Sequence, residues 1–178
     1  MVRLNEIRRA EVAIDPPPAT DAGLVYIGRI ATPWSSRLET PRLGRLDGPL
    51  CRIEVFAPWR AALKGIEAYE RIEVLFWMHL SRRDLVLQSP ADDGTAHGTF
   101  ALRTPARPNP IGTTIARLVR VEPDGILLVR GLDCIDGTPL LDLKPDRTLF
   151  TPLAREQAGD RQTGHDDVSD GPEETPGG

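Results

Sequence analysis

The alternation of side chains between Gly112 and Glu122 constrains the fold more than any other stretch of the chain. Thr114, Ala116, Leu118 and Arg120 fall on one side of an extended backbone, and Ile115, Arg117, Val119 and Val121 on the other. That is the two-residue period of a strand. Pro123-Asp124-Gly125 then supplies turn chemistry, and Ile126 to Leu132 reads as the returning arm of a hairpin. Further short apolar runs predict strands over Leu24 to Ala31, Cys51 to Phe56, Arg71 to Met78 (ending at His79), Gly98 to Arg103 and Pro139 to Leu143. Only Pro58 to Tyr69 has helical spacing, through Trp59, Ala62, Leu63 and Ile66, and Gly65 weakens its middle. Thr32 to Pro49 and Ser81 to His97 read as long loops, the class of segment that usually carries function or disorder. Seven short strands and one short helix predict a mainly β fold, a small antiparallel β-barrel or curled sheet.

At 178 residues the chain has room for one domain with tails. We assign an N-terminal arm to 1–23, a β-barrel body to 24–154 and an acidic tail to 155–178. In the arm, Leu4 to Val12 suits one or two helical turns before Pro16-Pro17-Pro18 stops them. The tail is too poor in apolar residues to bury a core and is predicted to be disordered. It also holds the acidity: residues 155–178 carry 2 basic and 7 acidic side chains, against 17 and 16 in residues 21–154. The low pI therefore does not exclude a nucleic-acid partner for the body. All basic residues except Lys64 and Lys144 are Arg, which suits bidentate contact with phosphate or carboxylate and is also what a G+C-rich genome produces. Cys51 and Cys134 have neither metal-ligand nor redox spacing, so two reduced thiols and no metal are expected. No apolar run approaches the ~20 residues of a membrane span, and the charged N-terminus lacks a signal core. A cytoplasmic protein without membrane association is expected.

Two segments do not read as core. Thr104-Pro105-Ala106-Arg107-Pro108-Asn109-Pro110-Ile111-Gly112 has prolines that fix the backbone and remove donors, so it has a special geometry to hold. Leu132-Asp133-Cys134-Ile135-Asp136-Gly137-Thr138-Pro139-Leu140-Leu141-Asp142-Leu143-Lys144-Pro145 sets carboxylates around an Asp-Gly turn between apolar runs. Acids on a rigid turn can grip hydroxyls or an ammonium of a small polar ligand. No strand leads into a Gly-x-Gly-x-x-Gly turn and helix, so the usual nucleotide cradle is missing.

These two segments resemble the hallmarks of the TrmO (TsaA, YaeB-like) family of S-adenosylmethionine-dependent tRNA methyltransferases: an Arg-Pro-Asn-Pro-Ile-Gly loop and a Leu-Asp-x-x-Asp-Gly-Thr-Pro-x-x-Asp-x-Lys-Pro turn. Further landmarks stand in the family's order from about Val25 to Lys144: Ile27-Gly28-Arg29-Ile30, Thr32-Pro33-Trp34, Pro41-Arg42, Gly65-Ile66-Glu67 and His79. The resemblance implies a small β-barrel, S-adenosyl-L-methionine as methyl donor, tRNA as partner and a homodimer. It implies an acceptor at the N6 nitrogen of threonylcarbamoyladenosine beside the anticodon. Donor contacts carried over by matching position are Pro41, Arg42, Leu43, His79, Leu80, Arg103, Thr113, Asp136, Gly137, Thr138 and Pro139. An Arg there is a plausible clamp for the donor carboxylate, and an Asp an acceptor for its ammonium or ribose hydroxyls. Methyl transfer to nitrogen is an in-line displacement in which positioning is worth ~7–11 kcal/mol; no catalytic triad is needed and none is visible.

Each residue also has an ordinary reading. Arg42 and Arg103 suit a solvated surface, His79 a strand end, and Asp133 and Asp142 a cap. Asn109 suits either loop shaping or substrate contact. Trp34, Trp59 and Trp77 suit base stacking, although the position of Trp77 within a strand favours core. Leu43 and Leu80 stand where the family has Gln, Asp146 replaces a Tyr, and an acidic tail stands where some relatives have a C-terminal domain. With Leu at both positions the pocket loses two amides near the donor and gains two apolar side chains, so threonylcarbamoyladenosine is expected to be methylated weakly or not at all. The alternatives are then a donor-binding barrel that methylates another acceptor, or a non-enzymatic donor-binding dimer.

Overall fold

A computed structural model describes residues 7–18 and 23–153. The expected tail, and the Leu4–Glu6 part of the predicted arm helix, lie outside the described residues. Nine strands are formed: β1 (Val12–Ala13), β2 (Gly28–Ala31), β3 (Cys51–Val55), β4 (Arg71–Trp77), β5 (Leu85–Gln88), β6 (His97–Gly98), β7 (Ile111–Glu122), β8 (Ile126–Arg130) and β9 (Thr138–Pro145). Six of them close an antiparallel barrel in the order β2-β3-β8-β7-β4-β9, and β1, β5 and β6 form a small separate sheet.

Closure follows from strict alternation. Along β4, Ile72, Val74 and Phe76 are buried, while Arg71, Glu73, Leu75 and Trp77 face outward. Inward side chains from all six strands fill the interior, among them Ile30, Ile53, Val74, Ala116, Leu127, Val129 and Leu140. Each large one contributes about 1.5–3 kcal/mol by leaving water. A six-stranded barrel leaves no lumen once these side chains meet, so a ligand site must lie on a rim or the exterior. Cys51 and Cys134 are buried in the same core. Burial pushes their thiols up, to about 11 and about 12.

Four expectations need correction. The arm does not coil into its predicted helix over residues 8–12: Val12 and Ala13 pair with Leu87 and Leu85. Buried Glu11 fixes that pairing by accepting the N–H groups of Ser89 and Arg8. The 81–97 stretch, read as a loop, contains β5. The strand predicted over 98–103 is instead a 3-10 turn at Thr99–Ala101. There the Thr99 hydroxyl donates to the Leu85 carbonyl and accepts from Gln88 Nε2. Leu24 to Tyr26 are exposed and precede β2 rather than join it. The helical segment is present, wound as two 3-10 helices, Ala57–Leu63 and Ile66–Ala68, parted by Gly65 at φ +89°.

Candidate functional site

The topology brings the two unusual segments together. Antiparallel order puts the ends of β2, β4 and β8 and the starts of β3, β7 and β9 on one rim. The connections 32–50, 78–110 and 131–137 therefore share that rim, and every residue carried over from the family pattern lies in them or within three residues of them. Trp59, in the Ala57–Leu63 turn that follows β3, belongs to the opposite rim.

The acidic turn is locked to the end of β2. The N–H groups of Asp136 and Gly137 donate to the carbonyls of Trp34 and Ile30, each at 2.8 Å. The Thr32 N–H donates to Asp136 Oδ1 at 3.1 Å, and the Thr32 hydroxyl donates to the Cys134 carbonyl at 2.9 Å. The Thr138 hydroxyl donates to the Ile135 carbonyl at 2.7 Å, which buries Thr138 and leaves Asp136 exposed. Among the described residues no donor reaches Asp136 Oδ2. The turn borders an open depression of about 250 Å³ shared with Arg29, Ala31, Arg52 and Glu54.

A second contact seats the Pro41-Arg42-Leu43 loop. Gly44 lies so close to Gly131 that a Cβ added there would sit 1.7 Å from the Gly131 carbonyl oxygen. The Gly44 N–H faces the carboxylate of Asp133, whose pKa burial raises while that N–H and the field of Arg103 oppose the shift. Arg103 Nη2 donates to the Thr113 carbonyl at 3.2 Å, and the Thr113 hydroxyl donates to Glu73 Oε1 at 2.8 Å. Thus the Pro41–Leu43 loop, Arg103, Thr113 and Asp133 form one neighbourhood. Gly44, Gly131 and Asp133 are the members that sequence reasoning did not assign.

The proline loop is held from below. Arg83 Nε donates to the Pro108 carbonyl at 2.6 Å and its Nη2 to Asn109 Oδ1 at 3.4 Å, while its guanidinium lies 5.5 Å from the Trp77 ring centroid. This supports the loop-shaping reading of Asn109. It also corrects the placement of Trp77, which is half-buried on the barrel exterior rather than core. Gly112 closes the loop because a Cβ there would lie 2.2 Å from the Phe76 ring. His79 and Leu80 follow β4 on the rim, with both side chains exposed.

Leu43 and Leu80 are 74% and 71% exposed. Neither walls an enclosed pocket in the single chain, because both occupy outward positions on rim connections rather than strand positions that face the core. Pro139 is half-buried in β9 beside Arg29. Arg42 is exposed and makes no ion pair among the described residues. No group of three or more His, Cys, Asp or Glu suited to a metal ion occurs among the described residues.

A family model described as the tRNA-methyltransferase O N-terminal domain matches residues 29–149. A "Probable S-adenosyl-L-methionine-binding protein VirR" of Rhizobium radiobacter is 59% identical over 150 residues, covering 84% of this chain and 85% of that protein. A mouse "tRNA (adenine(37)-N6)-methyltransferase" is 34% identical over 72% of this chain but only 32% of its own length. The crystal structure of TrmO from P. aeruginosa superposes with a TM-score of 0.61 at 30% identity, over 80% of this chain and 63% of that one. The chain thus spans less than two thirds of both that TrmO and the mouse enzyme.

Proposed function

The chain belongs to the tRNA-methyltransferase O family, and from that membership we propose that it is an S-adenosylmethionine-dependent N-methyltransferase acting on an adenosine of tRNA. The observation that carries this reading is the shared rim. Pro41–Leu43, His79–Leu80, Arg103, Thr113 and Asp136–Pro139 lie far apart in sequence and emerge at one end of the barrel.

The residues present fit the donor. Its carboxylate suits the guanidinium of Arg42 or Arg103. Its ammonium or ribose hydroxyls suit Asp136, whose Oδ2 no donor reaches among the described residues. When bound, S-adenosylmethionine supplies a methyl group activated by a sulfonium. The protein's part is to hold its own side chains ready. Thr32 fixes the Asp136 carboxylate, the Thr113 carbonyl holds Arg103, and the Gly44–Gly131 contact seats the Pro41–Leu43 loop. Orientation of this kind is the main term in an in-line displacement.

We also assign the working form as a homodimer. Leu43, Leu80, Phe100 and Ile111 are exposed on the connections of this rim or at its edge, and a second copy laid across them would enclose a site that is open in one chain. The proposed acceptor is the family's threonylcarbamoyladenosine; because a second copy would cover both leucines, the exchange of both for Gln tests whether they exclude it. The test is transfer of labelled methyl from S-adenosylmethionine to tRNA bearing threonylcarbamoyladenosine, comparing the native chain with Leu43→Gln/Leu80→Gln and measuring mass by light scattering. Methylation by a dimeric native chain is expected. Donor binding without transfer in either chain would remove the proposed acceptor, and a monomer at micromolar concentration would remove the dimer.

A further inference from the structure

We propose that the barrel exterior beside the Pro41–Gly44 loop is a track for an RNA phosphate backbone, formed by Arg45, Arg52, Arg117 and Arg130. The proposal rests on the tRNA reading above and says which surface the RNA occupies.

Strand register assembles the track. Arg117 of β7 lies directly opposite Arg130 of β8, and Leu128, two residues before Arg130 on the same face, lies opposite Arg52 of β3. Their strand neighbours Ala116, Val129, Cys51 and Ile53 are buried, so alternation turns all three arginines outward. Three adjacent strands about 4.8 Å apart carry them, a span of about 10 Å. The loop before β3 adds the fourth. Arg130 donates to the Gly48 carbonyl, Leu46 packs on Gly131, and Arg45 projects from this loop with its side chain 78% exposed.

The charge balance is uneven here, although the body as a whole is nearly neutral. Asp47 lies within the track, where Arg45 engages both of its oxygens, at 3.0 and 2.9 Å, and the field of Arg117 also acts on it. Glu54 and Asp136 border the track at its Arg52 end, so four arginines face three carboxylates, of which only Asp47 lies between them. Among the described residues no ion pair reaches Arg52, Arg117 or Arg130. Several arginines elsewhere are neutralised. Arg71, which faces Arg117 from β4, pairs with Asp146 at 3.0 Å, and Arg82 pairs with Asp84 at 2.7 Å. Like charges directly opposite on neighbouring strands are destabilising, so Arg117 and Arg130 work against the fold they belong to. Phosphates would relieve that repulsion, and guanidinium groups bind phosphate in a bidentate manner. Arg130 runs directly into Gly131, the residue that seats the Pro41–Gly44 loop, so a backbone on this track reaches the candidate site.

The test is binding of an unmodified tRNA transcript to the full chain across a salt series, for the native protein and for Arg45→Gln/Arg117→Gln. Neither residue belongs to the proposed donor site. The native chain should bind with a steep salt dependence. The double variant should lose at least about tenfold in affinity, with the slope of log affinity against log salt flatter by about two, ~1 for each phosphate contact. S-adenosylmethionine affinity by calorimetry should stay unchanged, which separates this surface from the donor reading. An unchanged slope in the double variant would overturn the track. So would a native chain that binds donor but no tRNA, or a variant whose oligomeric state changes while its tRNA affinity does not.

Discussion

Gly44→Ala tests whether the Pro41–Leu43 loop is placed by its contact with Gly131. A Cβ at position 44 would stand 1.7 Å from the Gly131 carbonyl oxygen, whereas real Cβ contacts essentially never fall below 3.0 Å. The two backbones must therefore part by about 1.3 Å or more. The yielding side is predictable. Gly131 is buried between β8 and the acidic turn at φ +107°, while Arg42 and Leu43 are exposed. The loop lifts and the barrel stays closed, so we expect a stability loss of about 1 kcal/mol or less, since little packed surface is disturbed. Function should respond more strongly, because a displacement on the order of 1 Å at a positioning element can cost about a hundredfold. The expected result is a kcat/KM for methyl transfer reduced by roughly ten- to a hundredfold with a nearly unchanged melting temperature. Native kcat/KM would refute the claim that this contact positions the loop. A fall in melting temperature as large as that of a core mutation would refute the claim that the loop yields first.

Gly112→Ala should behave oppositely: its Cβ meets the Phe76 ring at 2.2 Å inside the core, so overpacking should cost ~1–3 kcal/mol. The melting temperature should drop by several degrees, and Phe76→Leu in the same chain should restore part of the loss; additive effects in a denaturation cycle would contradict the packing account. Arg103→Ala should weaken S-adenosylmethionine binding by roughly ten- to a hundredfold, the ~1.5–3 kcal/mol of a charge-assisted contact, as read by calorimetry. Asp133 carries a raised pKa because burial penalises its charge. Just above the ordinary carboxylate pKa of ~3.9 the folded chain therefore holds more of this proton than the unfolded chain does. Stability should then fall as pH rises through that window, and Asp133→Asn should remove this component of the fall in urea melts from pH 4 to 7; parallel curves for the two proteins would contradict it.

The barrel was readable where side chains alternate over many residues. The β7–β8 hairpin follows from its period and the Pro-Asp-Gly turn, and β3, β4 and β9 from short apolar runs with few breaks. The β1–β5–β6 sheet was not readable, because its strands are two to four residues long. Buried polar groups hold it: Glu11 on the Ser89 N–H, and Gln88 Nε2 on the Thr99 hydroxyl and the Ala106 carbonyl. Such contacts leave no period in the chain. The two halves of the site announced themselves by unusual chemistry. The Gly44–Gly131 approach did not, since it joins two glycines distant in sequence whose only signal is the absence of a side chain. The exposure of Leu43 and Leu80 was likewise out of reach, because an apolar residue in a loop does not reveal which way its backbone turns it.

The two core cysteines make the molecule a reporter of its own opening. With thiols pushed up to about 11 and about 12, roughly a thousandth or less of either is thiolate at pH 8, and the thiolate is the form that alkylates. An unfolded cysteine, with a pKa of ~8.5, has about a quarter in that form. Cys51 sits at the start of β3 and Cys134 in the rim segment leading to the acidic turn. Both lie at the same rim, so alkylation of single-cysteine chains would time its opening at two points, the start of β3 and the 131–137 connection, without any label added to the native protein. If the 131–137 connection lifts independently of the strands, Cys134 will be modified first, despite having the higher pKa of the two.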